Sequence, residues 1–90
     1  MREVTLTIRN KVGLHARPAA LFVQTASKFK SKVLAVKDGH EVNAKSILSV
    51  LTLGAEQGAE VTVRAEGEDE VEVIEALKEL VENNFGEEEV

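Results

Sequence analysis

The hydrophobic pattern of this 90-residue chain predicts an α+β fold, an open-faced β-sandwich with the element order βαββαβα. Three observations predict it. Apolar and polar residues alternate over residues 4–8 and 61–65, which is typical of half-buried strands. Three other segments repeat apolar residues at helical spacing, and an Asp-Gly pair between two short apolar runs indicates a hairpin. We therefore expect a four-stranded antiparallel sheet with three helices on one face.

The first two elements are a strand and an amphipathic helix. Val4, Leu6 and Ile8 alternate with threonines, so one face of this strand is expected to be buried. From Ala16 the apolar period changes to that of a helix ending near residues 27–28. The predicted core residues of this helix are Ala19, Phe22, Val23, Ala26 and Phe29.

A hairpin and a short helix occupy the middle of the chain. Asp38-Gly39 joins a strand over residues 33–36 to a returning strand from His40 to Asn43, because both turn positions tolerate positive φ. Ser46 is then the expected N-cap of a short helix, and Gly54 follows the end of that helix.

The last strand ends at Gly67, and a helix follows with Asp69 as its expected N-cap. Acidic residues 68–72 suit the positive end of a helix dipole. The predicted core face of this helix is Val71, Ile74, Leu77, Val81 and Phe85. We expect residues 1–90 to form a single domain and the glutamate-rich tail over residues 86–90 to fray.

Composition excludes several classes of function. The chain has no cysteine, so it has neither a disulfide framework nor a thiolate metal site. Its two histidines, His15 and His40, are not spaced as metal ligands, so we expect no metal and no cofactor. Three Phe without Trp or Tyr argue against stacking on nucleic-acid bases. No leader-like or membrane-spanning segment is apparent, since a span needs roughly 20 apolar residues. A monomeric cytoplasmic domain is the expectation.

Charge is distributed unevenly along the chain. Residues 1–45 carry nine Lys and Arg against three acidic residues, a formal charge of +6, whereas residues 46–90 carry a formal charge of −11. Two interpretations remain open at this point. The asymmetry is either a property of an ordinary solvated surface or the mark of a basic face that steers an anion or an acidic partner.

The segment Gly13–Ala20 reads G-L-H-A-R-P-A-A and places unusual residues at the start of the first helix. His15 is its expected N-cap although histidine caps poorly, and Pro18 lies in the first turn, where a missing N–H is tolerated. Free amides at a helix start attract anions, and Arg17 adds a guanidinium suited to phosphate. Gly13 is expected to make the approach flexible. The simplest chemistry is reversible capture of a phosphoryl group on the imidazole; the alternative is a surface histidine beside an unrelated arginine.

The short helix is apolar on nearly all sides, since five large aliphatic residues follow Ser46: Ile47, Leu48, Val50, Leu51 and Leu53. So small a helix cannot bury all of them against one sheet. The exposed remainder is either a partner surface or covered by loops. Ser46 is either a simple cap or a phosphorylation site beside Lys45.

Together, G-L-H-A-R-P-A at residues 13–19 and K-S-I-L-S-V-L-T-L-G at residues 45–54 resemble the HPr family. These are the histidine-containing phosphocarrier proteins of the bacterial phosphoenolpyruvate-dependent sugar phosphotransferase system, and the resemblance covers essentially the whole chain. It implies the strand order 1-4-2-3 beneath three helices. It also implies a phosphoryl carrier that is itself transiently phosphorylated, rather than an enzyme.

The resemblance implies a role for particular residues. His15 would accept a phosphoryl group on Nδ1 from phospho-enzyme I and pass it to sugar-specific IIA components, while Arg17 stabilises the phosphate. Ser46 would be the site of an HPr kinase/phosphorylase, with a catabolite-control transcription factor as a further partner. Ile47, Leu48 and Leu51 would form the apolar patch that binds these partners. From the charge distribution, Lys11 and Lys45 are expected to belong to a basic rim around that patch and complete the partner-binding residues.

Two other functions stay open beside this one. The chain could be a signalling module whose main output is phosphorylated Ser46 bound to a transcriptional regulator. It could also be an interaction domain that uses its exposed short helix without any phosphorylation.

Overall fold

Residues 1–86, which the computed structural model describes, form four strands, three helices and a final 3-10 turn in the predicted order βαββαβα. The strands are β1 (Arg2–Thr7), β2 (Lys32–Lys37), β3 (His40–Asn43) and β4 (Glu60–Glu66). The helices are α1 (Ala16–Ser27), α2 (Ile47–Leu51) and α3 (Glu70–Glu82), and the 3-10 turn is Asn84–Gly86. Of the tail that was expected to fray, Gly86 belongs to this turn and residues 87–90 lie outside the described residues.

The sheet is antiparallel throughout and has the order β1-β4-β2-β3, which confirms the order that the family resemblance implied. Val63 of β4 is paired with Val4 of β1 on one side and with Ala35 of β2 on the other. The predicted hairpin is also confirmed, because Asp38 and Gly39 have φ of 50° and 79°.

The core lies between the sheet and the helices, as in an open-faced sandwich. Alternate residues of the two central strands are buried: Val33, Ala35, Val61, Val63 and Ala65. Phe22 of α1 and Leu77 of α3 cover them and are almost completely buried. Each such side chain contributes about 1.5–3 kcal/mol relative to an exposed position.

The predicted core faces of the helices need two corrections. In α3 the buried stripe runs through Val73, Ile74, Leu77 and Val81, whereas Val71 is 43% exposed. Val71 was wrongly placed in the core because 3.6 residues per turn put it roughly 100° from the centre of that stripe. In α1, Ala19, Phe22, Val23 and Ala26 are buried as predicted, but Phe29 follows the helix end and is half-buried. Phe85 is buried in the 3-10 turn beyond α3.

Asp69 occupies the predicted N-cap position of α3, and its carbonyl accepts the N–H of Val73 at 3.1 Å, but its side chain accepts no hydrogen bond from the helix. The carboxylate instead accepts the backbone N–H groups of Lys30, at 2.8 Å, and Ser31, at 2.9 Å, and the hydroxyl of Ser31. The Ser31 hydroxyl and then the Lys30 amide lower the pKa of Asp69 to about 2. Asp69 therefore ties the α1–β2 connection to the start of α3.

No helix within residues 1–86 is long and apolar enough to cross a membrane.

Candidate functional site

The first helix begins without a side-chain cap. His15 occupies the N-cap position with an extended backbone, φ −80° and ψ −173°, but its imidazole makes no capping hydrogen bond and is exposed. Its carbonyl accepts the N–H of Ala19 at 2.8 Å, as the first intrahelical bond requires. His15 thus takes the backbone role of a cap and leaves its ring available for other chemistry.

The amides of the first turn are correspondingly open. Ala16 N and Arg17 N have no hydrogen-bond acceptor within residues 1–86, and Pro18 has no N–H to satisfy. These donors lie at the positive end of a 12-residue helix, where an anion is favoured. The start of α1 therefore presents open donors, suited to an anion, next to an exposed imidazole.

A cation belongs to this site as well. Arg17 is exposed, and its guanidinium forms no ion pair or hydrogen bond with the part of the chain described. Because a guanidinium matches two phosphate oxygens at once, Arg17 is suited to a phosphoryl group held by the neighbouring amides. Lys11 is also exposed and lines a surface hollow together with His15.

The loop that carries His15 is fixed against a second loop. Gly13 has φ of 63°, and a Cβ there would lie 2.4 Å from Ala55 O and 2.7 Å from Glu56 Cα. The next residue, Leu14, donates its N–H to Ala55 O at 2.8 Å. Gly13 thus permits a close backbone contact between the two loops, so its role in the fold is close packing rather than the expected flexible approach.

Two shallow hollows flank His15, and Glu56 lines both. One is lined by Leu14, His15, Leu51, Gly54, Ala55 and Glu56, and the other by Lys11, Val12, His15, Glu56 and Gln57. No spacing or motif in the sequence connects Glu56 to His15, so sequence patterns alone do not indicate this residue. Glu56 lies beside His15 because the backbone of residues 55–56 packs against Gly13.

The second helix start has a side-chain cap. Ser46 is extended, with φ −120° and ψ 117°, and its Oγ accepts the N–H of Ser49 at 3.3 Å. The predicted N-cap is confirmed. The side chain is half-buried, and α2 ends at Leu51, with a turn leading to Gly54 at φ 59°.

Three aliphatic side chains of α2 are exposed and form an apolar patch: Ile47 at 42%, Leu48 at 79% and Leu51 at 37%. Val50 and Leu53, also in the apolar run, are buried instead. Because Leu51 and His15 line the same hollow, the fold brings the apolar patch next to the imidazole.

Lys45 is placed differently from Lys11. Its ammonium donates to Phe29 O at 2.7 Å, and its side chain is half-buried. Lys45 therefore ties the β3–α2 connection to the end of α1, whereas Lys11 lies beside His15.

The other histidine is engaged elsewhere. His40 Nε2 is 3.1 Å from Thr52 Oγ1, and this hydroxyl donates to Ser49 O at 2.6 Å. Because the Thr52 hydroxyl already donates its proton to Ser49 O, the His40 Nε2–H is the donor to Thr52 Oγ1. Within residues 1–86, no three histidine or acidic side chains lie together as a possible metal site.

Comparisons with known proteins agree with this geometry. Residues 2–83 match the family model described as the PTS HPr component phosphorylation site. The phosphocarrier protein HPr of Xylella fastidiosa is 53% identical over 87 residues, which are 97% of this chain and 98% of that protein.

Two solved structures are also similar. HPr-C-His from Thermoanaerobacter tengcongensis is 60% identical with a TM-score of 0.96, and the match covers 99% of this chain and 100% of that one. Crh, the Bacillus subtilis catabolite repression protein, is 49% identical with a TM-score of 0.74, covering 93% and 97% of the two chains. That structure is described as a dimer with a swapped domain.

Proposed function

Because the chain belongs to the HPr family, the phosphocarriers of the phosphotransferase system, we propose that His15 is the residue that carries the phosphoryl group. The observation that supports this most directly is the exposed imidazole at a helix start whose Ala16 and Arg17 amides are open. The protein is then a carrier that is phosphorylated and dephosphorylated in turn, and it has no small substrate of its own.

The transfer needs one nucleophilic nitrogen and a place for negative charge. The lone pair of His15 Nδ1, with the ring proton on Nε2, forms a bond to phosphorus. The bond from phosphorus to the donor's nitrogen breaks, and its electron pair returns to the donor ring. The phosphoryl oxygens are then held by the Ala16 and Arg17 amides and by the Arg17 guanidinium. Delivery to an acceptor is the same step in reverse.

The partners that fit this role are phospho-enzyme I as donor and the IIA components of sugar permeases as acceptors. The apolar patch of Ile47, Leu48 and Leu51 supports this, because it adjoins His15 and is exposed for docking. Lys11 and Arg17 supply positive charge beside it, which suits acidic partner surfaces. Lys45 contributes through the position of α2 rather than by presenting its ammonium, which is bonded to Phe29 O.

Labelling with enzyme I and phosphoenolpyruvate tests the carrier role. Wild type should acquire an acid-labile, base-stable phosphate, and His15→Ala should acquire none. Arg17→Gln should be labelled at least about ten-fold more slowly, since hydrogen bonds to charged groups contribute about 1.5–3 kcal/mol. Labelling of His15→Ala at the wild-type rate would refute the proposal.

We also propose a second phosphorylation, at Ser46, a regulatory role that fits the family membership and the likeness to Crh, a protein of catabolite repression. An HPr kinase/phosphorylase would attach it from ATP, and a catabolite-control transcription factor would recognise the product. Phosphate on serine is stable in acid, so it is distinguishable from phosphate on His15. Wild type incubated with this kinase and ATP should gain acid-stable label that Ser46→Ala lacks. If neither labelling reaction works while partner binding persists, the chain is an interaction domain without phosphorylation.

We further propose that the carrier works in the cytoplasm as a monomer. His15 and the apolar patch are both exposed in the single chain, so the site is complete without a second copy. Light scattering during gel filtration should give a mass near the 9.8 kDa of one chain. A mass of twice that value would show instead a dimer, as described for Crh.

A further inference from the structure

Glu56 is an acidic residue placed beside a site that is otherwise arranged for anions. It lines both hollows that flank His15, one on the side of Leu51 and the other on the side of Lys11. Arg17 lines neither of these hollows. His15 therefore shares its two flanking hollows with an acidic residue, in addition to lying at the positive end of α1.

The position of Glu56 is fixed by its backbone. Its Cα packs against Gly13 so closely that a Cβ on that glycine would lie 2.7 Å away. Its carbonyl accepts the N–H of Ala59 at 2.9 Å, and the preceding Ala55 O accepts the N–H of Leu14. The backbone of Glu56 is therefore held against the loop that carries His15.

The carboxylate of Glu56 does not stabilise the fold through a contact within residues 1–86. It is exposed, and it makes no ion pair or hydrogen bond with any residue from 1 to 86. Its negative charge is therefore not held in an ion pair within these residues, although Lys11 lines one of the same hollows.

We propose that Glu56 is an electrostatic residue of the carrier site that destabilises phosphorylated His15 and so favours release of the phosphoryl group. This rests on the proposed carrier role of His15. Arg17 and the helix amides stabilise the phosphoryl oxygens, and the Glu56 carboxylate repels them. The balance of the two keeps the group bound while leaving it transferable.

The carboxylate also acts on the leaving ring. When the bond between phosphorus and Nδ1 breaks, the electron pair goes to the imidazole, and a proton already on Nε2 lets the ring leave as a neutral molecule. A nearby negative charge favours this ring-protonated form of phosphohistidine. Repulsion of the phosphoryl group and stabilisation of the ring cation therefore act in the same direction.

The test is the hydrolysis rate of the isolated phosphorylated protein, measured without partners so that docking does not contribute. Wild type, Glu56→Gln and Glu56→Lys are labelled with enzyme I and radioactive phosphoenolpyruvate, purified and followed at neutral pH. We expect Glu56→Gln to lose phosphate about two- to five-fold more slowly than wild type, the size of an exposed charge interaction. Glu56→Lys should be slower still, and 1 M salt should bring the three rates together.

Glu66→Gln is the matched control, because it removes the same charge from the far end of β4, opposite Lys32. Its phosphate should be lost at the wild-type rate. Equal hydrolysis rates for wild type and both Glu56 variants, once all are labelled, would overturn the inference. A slow rate in Glu56→Gln that 1 M salt leaves unchanged would overturn it too, because a merely structural effect is not screened. Absence of label on wild type would instead refute the carrier role itself.

Discussion

The N-termini of α1 and α2 differ in whether the side chain of the N-cap residue bonds to the helix. At α1 the cap position holds His15, whose ring makes no hydrogen bond to the helix, and the first amides remain open. At α2 the cap position holds Ser46, whose Oγ accepts the amide of Ser49. Both cap residues have extended backbones, so the starts differ in the cap side chain and in the third helical residue, which is Ser49 in α2 and Pro18, without an N–H, in α1.

This difference leaves the first amides of α1 open to a ligand, whereas at α2 a first-turn amide is already hydrogen-bonded by the cap. An N-cap such as serine contributes about 0.5–2 kcal/mol relative to alanine, and α1 forgoes that stabilisation. In exchange its amides keep their capacity for a ligand, and the ring keeps its lone pair. A poor cap in front of a well-formed helix is therefore informative about function.

The largest expected effect comes from giving α1 the cap of α2. His15→Ser should abolish acid-labile labelling by enzyme I and phosphoenolpyruvate, because the nucleophilic nitrogen is gone. Its free energy of unfolding in urea should be about 0.5–1 kcal/mol higher than that of His15→Ala, because the serine hydroxyl can accept a first-turn N–H. Equal stability of the two variants would mean that the backbone at this start does not suit a side-chain cap.

The second effect concerns the loop that holds the α1 start in place. Gly13→Ala should lower the free energy of unfolding by about 2–4 kcal/mol, because its Cβ meets backbone atoms and its φ is positive. Gly39→Ala is the control, because that glycine also has positive φ but a Cβ there meets nothing within 4 Å. Urea denaturation should rank Gly13→Ala as clearly the less stable. If the two variants lose equal stability, the contact with residues 55–56 contributes nothing.

Sequence patterns predicted the elements well and the long-range contacts poorly. The strands, the hairpin at Asp38 and the Ser46 cap depend on local periodicity and turn chemistry, which can be recognised from neighbouring residues in the sequence. The roles of Glu56 and Asp69, in contrast, come from contacts with backbone segments that are distant in the sequence. The carboxylate of Asp69 looked like a helix cap and instead accepts amides from the α1–β2 connection.

Within the candidate site the same division holds. His15 and Arg17 were identified from one short motif and from its resemblance to a family. The motif also predicted that Gly13 gives flexibility, whereas the fold uses it for close packing. Lys45 was grouped with the basic residues of the site, yet its ammonium is bonded to Phe29 O, which no local pattern indicates.

The third helix start supplies a pH-dependent comparison. The Ser31 hydroxyl and the Lys30 amide lower the pKa of Asp69 to about 2, below its value of 3.8 in an unfolded chain. The carboxylate therefore stabilises the fold fully above pH 4, and this contribution is lost as the pH falls towards 2. Asp69→Asn should be less stable than wild type at pH 7 and should lose less stability on acidification.

Urea denaturation at several pH values between 2 and 7 measures this effect. Ser31→Ala removes the largest cause of the lowered pKa, so it should shift the acid loss of stability towards higher pH. Identical pH profiles for wild type and Asp69→Asn would show that this carboxylate does not contribute to acid unfolding.

The smallest effect is expected at the start of α2, which Ser46 caps. Ser46→Ala should cost about 0.5–1 kcal/mol of unfolding free energy, at the lower end for a cap because its hydrogen bond is 3.3 Å long. Ser46→Asp should be as stable as wild type, since aspartate caps as well as serine does. Labelling of His15 in isolated Ser46→Ala should reach the wild-type extent, because this cap serves only its own helix. A Ser46→Ala variant as stable as wild type would mean that α2 needs no cap, and the contrast between the two starts would then rest on His15 alone.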